Sequence, residues 1–195
     1  MKEIDVFDFD KTIYEKDSSV ELFLFCLKKK KKIIKYIPGI VVLMFFNKLK
    51  IIKKERLKQY FFKFLTDFND MEKIILEFWR HNKKYIREEI IKDSKNYKVV
   101  ISASPEFLLK DICDELGIEK VIASKVDIKN GEFNTLNCYG KEKVNRLNLE
   151  FENEEYQIDK FFSDSYSDRF IANIAKRPFI IKNNRIKKWD LKEKE

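Results

Sequence analysis

Four glycines in 195 residues, Gly39, Gly117, Gly131 and Gly140, are too scattered to build a Walker A loop or a G-x-G-x-x-G turn, both of which need glycines within a few residues of one another. The single histidine, His81, argues against Ser-His-Asp and Cys-His catalysis and against multi-histidine metal sites. Beside Trp79 and Arg80 it is expected to be a packing or surface residue. Cys26, Cys113 and Cys138 are odd in number and lack a C-x-x-C pair, so three reduced thiols are expected rather than a disulfide framework or a zinc site. The opening MKEIDVFDFD has no apolar run of signal-peptide length, and a cytoplasmic protein is expected. With these chemistries removed, any reaction must run on carboxylates, hydroxyls and lysines.

What is present suffices for one domain with a sizeable insertion: 44% of residues are apolar and 14% aromatic, enough for a packed core. The net charge of +8 is unevenly spread, the excess lying in residues 14–95. Residues 27–63 alone carry 13 basic residues against one acid, Glu55. A solvated helix face and an attraction to anionic surfaces both fit. Because 34 of the 41 basic residues are lysine, diffuse attraction to phosphates or lipid headgroups fits better than bidentate reading of bases.

Residues 3–9 (EIDVFDF) read as a short buried strand that stops at an acidic edge, placing residues 8–12 on the following loop. From residue 20 to 95 the pattern is helical: Leu57, Tyr60, Phe61, Phe64, Leu65 and Phe68 recur at helix spacing, and Met71, Ile74, Ile75, Phe78 and Trp79 continue it after Asn69-Asp70. Short apolar runs at 99–101, 121–123, 158–163 and 178–181 then alternate with helical stretches at 105–116, 141–150 and 168–175. The first of these helices is marked by Ser104 as N-cap, Pro105 as N1 and Gly117 as C′. Such alternation predicts an α/β fold with a mostly parallel sheet flanked by helices and a site at the carboxyl ends of the strands. The lysine-rich last few residues are expected to be disordered. The uncharged stretch 36–46 (YIPGIVVLMFF) is too short to span a bilayer, which takes about 18 or more residues. It reads either as core packing within the helical unit or as a segment lying in a membrane interface with lysines on both sides.

Four short pieces fall at strand ends or helix starts: Asp8-Phe9-Asp10-Lys11-Thr12, Ser102, Lys143 at the head of a helix, and Asp164 with Asp168 after IDKFFSD. In this order they resemble the four motifs of the haloacid dehalogenase superfamily of aspartate-nucleophile phosphatases: DFDKT, VVISASPEF, YGKEKVNRL and FFSDSYSD. The likeness extends to the subfamily with a helical cap between the first two motifs, to which the phosphoserine phosphatases belong. It implies a Rossmann-like catalytic core of residues 1–13 and 96–195 and an all-helical cap of residues 14–95. It further implies Asp8 as nucleophile, Asp10 as general acid and base, Ser102 and Lys143 as phosphoryl ligands, and Asp8, Asp10 (through its backbone carbonyl) and Asp164 as Mg²⁺ ligands, supported by Thr12 and Asp168. Lys141 competes with Lys143 for its role, Ser102 is otherwise a plain strand-end hydroxyl, and Asp168 is otherwise a helix N-cap.

The chemistry accommodates these roles. A carboxylate nucleophile divides ester hydrolysis into formation and hydrolysis of an aspartyl phosphate, with a second carboxylate moving the proton. Carboxylates crowded round a phosphate repel one another by about 3 kcal/mol per pair at about 6 Å, so a divalent cation with oxygen ligands is expected. The expected substrate is a phosphorylated small molecule or a lipid headgroup. The phosphoserine phosphatases carry Ser-Gly-Gly in the second motif, where this chain has Ser102-Ala103-Ser104-Pro105. The basic insertion with its apolar middle is similar to the phosphatidylglycerophosphate phosphatase branch, whose hydrophobic stretch is longer. A peripheral position at the inner face of the membrane follows as an expectation. Nucleic-acid binding is disfavoured, because the gathered carboxylates would repel phosphates and would be left unexplained.

Overall fold

The computed structural model describes residues 1–190. The lysine-rich C-terminal residues expected to be disordered lie outside them. A six-stranded sheet in the order β3-β2-β1-β4-β5-β6 is built from β1 (Lys2–Phe7), β2 (Tyr97–Pro105), β3 (Lys120–Ser124), β4 (Tyr156–Ser163), β5 (Ala175–Lys182) and β6 (Arg185–Lys188). The first five strands run parallel and β6 is antiparallel. After β1 the chain builds β2 and β3 on one side, then crosses to build β4 and β5 on the other. The carboxyl end of β1 is therefore a topological switch point, where open α/β sheets hold their ligands.

Alternation along the strands sorts side chains to two layers. Ile4 and Val6 of β1 and Val99 and Ile101 of β2 pack with Leu147 and Phe151 at α6 (Lys141–Glu150) and with Ile171 and Ala172 of α7 (Arg169–Ala172). Phe7 and Val100 face the other way, toward Leu108, Leu109 and Ile112 of α5 (Glu106–Glu115). On that face Phe7, Phe162 and Phe179 stack across three paired strands, with centroids 5.3 and 4.9 Å apart.

Between β1 and β2 lie α1 (Ser18–Lys29), α2 (Ile37–Lys48), α3 (Lys54–Phe61) and α4 (Met71–Asn82), with 3₁₀ segments between α1 and α2 and between α3 and α4. On α4 the buried residues Met71, Ile75, Phe78, Trp79 and Asn82 follow helix spacing, and the Trp79 indole donates to the Leu108 carbonyl at 2.7 Å, tying α4 to α5. His81 is exposed, as expected, with Nδ1 2.7 Å from the Glu77 carbonyl. Helix α2 buries no residue. Its inner side meets α3 at Gly39, where a Cβ would sit 2.1 Å from Tyr60 Oη, so the Tyr60 ring lies on the helix backbone. Core packing therefore accounts for only one side of the 36–46 stretch.

Several boundaries differ from the sequence reading. Ser104 is not the N-cap of α5, and Pro105 is not N1: β2 extends through Pro105, which takes the N-cap place in extended geometry at φ −62, ψ 136. Gly117 does end the helix, at φ +67, with Gly117 N bonded to Asp114 O and Ile118 N to Cys113 O. The helix-spaced run 57–68 tightens to 3₁₀ geometry from Phe62, and the helix expected over 168–175 shrinks to α7 because β5 begins at Ala175. Strand β6 was not anticipated. Its hairpin turns on Asn183 and Asn184 at φ 50 and 59, left-handed values that asparagine tolerates better than most residues. The three cysteines are buried and unpaired, and burial pushes the thiols of Cys26 and Cys138 up to about 12 and about 11, out of reach of nucleophilic use.

Candidate active site

Strand β1 ends on Phe7, and its alternation continues one step into the loop: Phe9 turns into the core against Trp79 and Tyr14, while Asp8 and Asp10 face a cavity of about 380 Å³ at the switch point. Asp8 N is held by the Phe162 carbonyl of β4 at 2.8 Å. Lys11, at φ 58, turns the chain away from the sheet, and its carbonyl accepts from the buried Arg87 guanidinium at 2.6 Å. The loop is thus fastened on both sides of the two aspartates.

The same cavity is lined by Ser102 from β2, Lys143 from α6, and Asp164 and Asp168 from the turn after β4. Lys143 is 2% exposed and donates to Asp8 Oδ1 at 2.8 Å and to Asp168 Oδ2 at 2.7 Å. Lys141 is exposed, one helix face away. Asp168 stands at the N-cap place of α7, yet its carboxylate makes no cap; it takes the Lys143 ammonium and the Ser163 hydroxyl, the latter at 2.8 Å. Ser102 Oγ accepts from Ser104 N at 3.1 Å. Thr12 is buried but does not line the cavity.

Asp10 is oriented from two directions. Ser18 N, in the first turn of α1, donates to Oδ1 at 2.9 Å, and Ser104 Oγ donates to Oδ2 at 2.5 Å. The second of these bonds makes Ser104, expected as a cap, a partner of the site instead. Burial raises Asp8 to about 7 against the pull of Lys143, and raises Asp10 to about 6, helped by Asp17. Burial also raises Asp164, while the two carboxylates hold Lys143 charged despite its burial. The cluster therefore contains carboxyls whose ionisation is opposed by their surroundings, so an added cation would relieve them.

No three His, Cys, Asp or Glu side chains converge on a metal position among the described residues. The donor set nevertheless fits a hard divalent ion. Asp8 keeps its second oxygen clear of Lys143, Asp164 faces the same cavity, and Mg²⁺ takes one or two carboxylates with carbonyl and water oxygens rather than a cage of side chains.

Sequence reasoning missed Lys58 of α3. Its ammonium reaches over to the strand end, donating to Ala103 O at 2.8 Å and Asn137 Oδ1 at 3.0 Å, and burial beside Lys54 lowers it to about 8. One lysine among 13 basic residues in residues 27–63 carries no distinguishing signal. Asp17 and Ser19 of the α1 start also line the cavity. The lining also includes the apolar Val20, Ile40, Met44, Leu57, Phe61 and Phe62, beside the polar Lys11, Lys54, Ser104, Tyr139, Ser165 and Ser167.

Comparison with known proteins agrees with this geometry. The fold matches a Bordetella pertussis Tohama I protein of unknown function at 16% identity and TM-score 0.78, covering 91% of this chain and 89% of that one. It also matches a Francisella tularensis phosphoserine phosphohydrolase-like protein at 18% identity and TM-score 0.62, covering 94% and 88%. A substrate-bound phosphoserine phosphatase matches at 17% identity and TM-score 0.57, covering 91% and 85%. No curated protein matches the chain. The family model of haloacid dehalogenase-like hydrolases matches residues 6–172, a span that runs from β1 through α7 and contains every residue of the cavity's polar wall. The chain belongs to the haloacid dehalogenase-like hydrolase family.

Proposed function

We propose that the protein hydrolyses phosphomonoesters through an aspartyl-phosphate intermediate. The observation that carries this reading is the pairing of Asp8, bound to the buried Lys143 through one oxygen only, with Asp10 two residues on in the same cavity. The Oδ2 atom of Asp8 attacks phosphorus as the ester P–O bond breaks, and the leaving alkoxide takes the proton of Asp10. A water molecule then gives a proton to Asp10 while its oxygen attacks phosphorus, which releases inorganic phosphate and restores the Asp8 carboxylate. Asp10, raised to about 6, suits both the acid and the base role near neutral pH. Asp168 and Ser163 hold Lys143 in place, where its charge favours ionised Asp8 and opposes repulsion between Asp8 and the incoming phosphate. Ser102 lines the position of the phosphoryl oxygens.

Asp8, Asp164 and the backbone carbonyl of Asp10 would hold Mg²⁺, which when bound supplies charge neutralisation between carboxylates and phosphate. The helical segment between β1 and β2 acts as a cap: α1 orients Asp10, and α2 and α3 provide the roof of the cavity. The apolar lining supplied by Val20, Ile40, Met44, Leu57 and Phe61 favours a leaving group with an apolar body over a small polar one such as serine. A lipid headgroup phosphate, such as that of phosphatidylglycerophosphate, has this character, and such a substrate would place the protein at the inner face of a membrane.

The test is hydrolysis of an aryl phosphate with and without Mg²⁺ by wild type and Asp8→Asn, followed by phosphatidylglycerophosphate and phosphoserine. The expected result is Mg²⁺-dependent turnover that falls by more than about 10⁴-fold in the variant, with the lipid phosphate preferred. Metal-independent turnover, or an active Asp8→Asn, would overturn the mechanism; preference for phosphoserine would overturn the substrate class alone.

A further inference from the structure

An amphipathic surface helix turns its apolar stripe inward; a helix apolar on all sides is normally buried on all sides. Helix α2 breaks both habits. Tyr36 just before it and its residues Ile40, Leu43 and Asn47 are half-buried on the side toward the rest of the protein, with Ile40 lining the cavity. Its opposite side carries a second apolar stripe, Val42, Phe45 and Phe46, continued at the same spacing by Leu49 just past its end; the four are exposed by 51, 60, 38 and 53%. Ile34 in the preceding 3₁₀ segment and Ile51 in the turn after the helix are exposed as well, by 60 and 64%. The stripe is flanked along the chain by exposed lysines, Lys28, Lys31 and Lys32 before the helix, Lys48 at its end and Lys50 and Lys53 after it, and no ion pair is formed by any of these six among the described residues. Asp67, on the turn before α4, is engaged by Lys35 and by the Tyr36 hydroxyl at 2.8 Å.

We infer that the outer face of α2 docks on an anionic lipid surface, the stripe entering the boundary between headgroups and acyl chains and the lysine rim meeting the headgroups. Charge complementarity selects this occupant. A second copy of the chain related by a two-fold axis would set two lysine rims against each other, and a nucleic acid would leave the apolar stripe unmatched. The helix, 12 residues and about 18 Å long, is too short to cross a hydrocarbon core of about 30 Å, and no described helix is long and apolar enough to do so. It therefore lies in the interface plane. Because Ile40 and Met44 of the same helix line the cavity that holds Asp8, docking puts the cavity beside the bilayer, so a headgroup phosphate can reach Asp8 while its acyl chains stay in lipid.

This deepens the lipid-phosphate reading and rests on it for its purpose, but lipid binding itself is independent of turnover. The test is flotation with vesicles of phosphatidylcholine alone and of phosphatidylcholine mixed with phosphatidylglycerol, at low and high salt, using wild type, Asp8→Asn, the double variant Val42→Asp/Phe45→Asp and the rim variant Lys31→Glu/Lys48→Glu. Wild type and Asp8→Asn should float equally with the anionic vesicles, salt should weaken binding, and each double variant should bind at least about tenfold more weakly. Soluble-substrate turnover reports that the two double variants are folded, and an unchanged Tm reports the same for Asp8→Asn. The inference is overturned if wild type fails to bind anionic vesicles at low salt, or if Val42→Asp/Phe45→Asp binds like wild type. It is also overturned if wild type instead forms a dimer that this variant dissociates. Loss of turnover in Asp8→Asn with vesicle binding intact would leave the two readings separately judged.

Discussion

The floor and the roof of the cavity are built in opposite ways. On the floor, Lys143 and Asp168 are each 2% exposed, and the Lys143 ammonium, the Asp168 carboxylate, the Ser163 hydroxyl and Asp8 join in one bonded cluster. On the roof, α2 has no buried residue and shows five large apolar side chains to solvent, Val41, Val42, Met44, Phe45 and Phe46. The floor is bonded within itself: Lys143 serves both Asp8 and Asp168, and carboxylates remain in excess of their counter-charge. The roof is open toward something outside the chain. Rigid placement of a nucleophile needs the first arrangement, and access for a substrate held elsewhere needs the second.

Breaking the floor should have the largest effect. Lys143→Met removes the ammonium bonded to Asp8 and leaves Asp8 and Asp168 buried together without it. Turnover of an aryl phosphate should fall by about 10²–10³-fold, and thermal unfolding should show lower stability, since removing one partner of a buried pair typically costs about 3–5 kcal/mol. Lys141→Met, on an exposed neighbour of the same helix, should do neither. Comparable losses in both variants would show that the helix as a whole, rather than the Lys143 ammonium, is what matters.

A pH experiment sharpens the comparison with a smaller effect. Asp8 and Asp10 are raised by burial to about 7 and about 6, above the value near 4 they have when unfolded. The native state therefore holds more protons than the unfolded state between about pH 4 and 7. Stability from these groups is complete below about pH 4 and is lost as pH rises through 6 and 7. The metal-free protein should lose a few degrees of Tm between pH 5 and pH 8, at about 2–4 °C per kcal/mol for a chain of this size. The loss should shrink in Asp8→Asn, and added Mg²⁺ should raise Tm more at pH 8 than at pH 5. The same Tm slope in wild type and Asp8→Asn would show that Asp8 is not the titrating group.

The same contrast explains what could be read from the sequence. Asp8, Asp10, Ser102, Lys143, Asp164 and Asp168 were legible because each sits at a strand end or helix start, positions that alternation and turn signals locate, and the structure brings them round one cavity. The parallel sheet was legible for the same reason. Ser104 was misread because a serine before a proline carries the same signal whether it caps a helix or, as here, ends a strand and bonds Asp10 from 94 residues away. Strand β6 had a signal that went unused, the Asn183-Asn184 turn. Lys58 had none, since its role depends on where α3 lies across the strand ends. The direction of α2 was undecidable from pattern: apolar residues all round a helix give periodicity nothing to point with.

The smallest expected effect is the most discriminating. Val42→Asp/Phe45→Asp places two charges where the side chains already meet water, 51 and 60% exposed, and neither residue lines the cavity. Surface substitutions away from caps, cavities and ion pairs usually change stability by less than about 0.5 kcal/mol. Tm and aryl-phosphate turnover should therefore stay near wild type, within about 2 °C and twofold. If the outer stripe of α2 instead packed against a part of the fold in solution, burying two aspartates there would cost several kcal/mol and lower Tm sharply. A silent substitution on the roof, beside the large losses on the floor, is what a surface built for a partner outside the chain predicts.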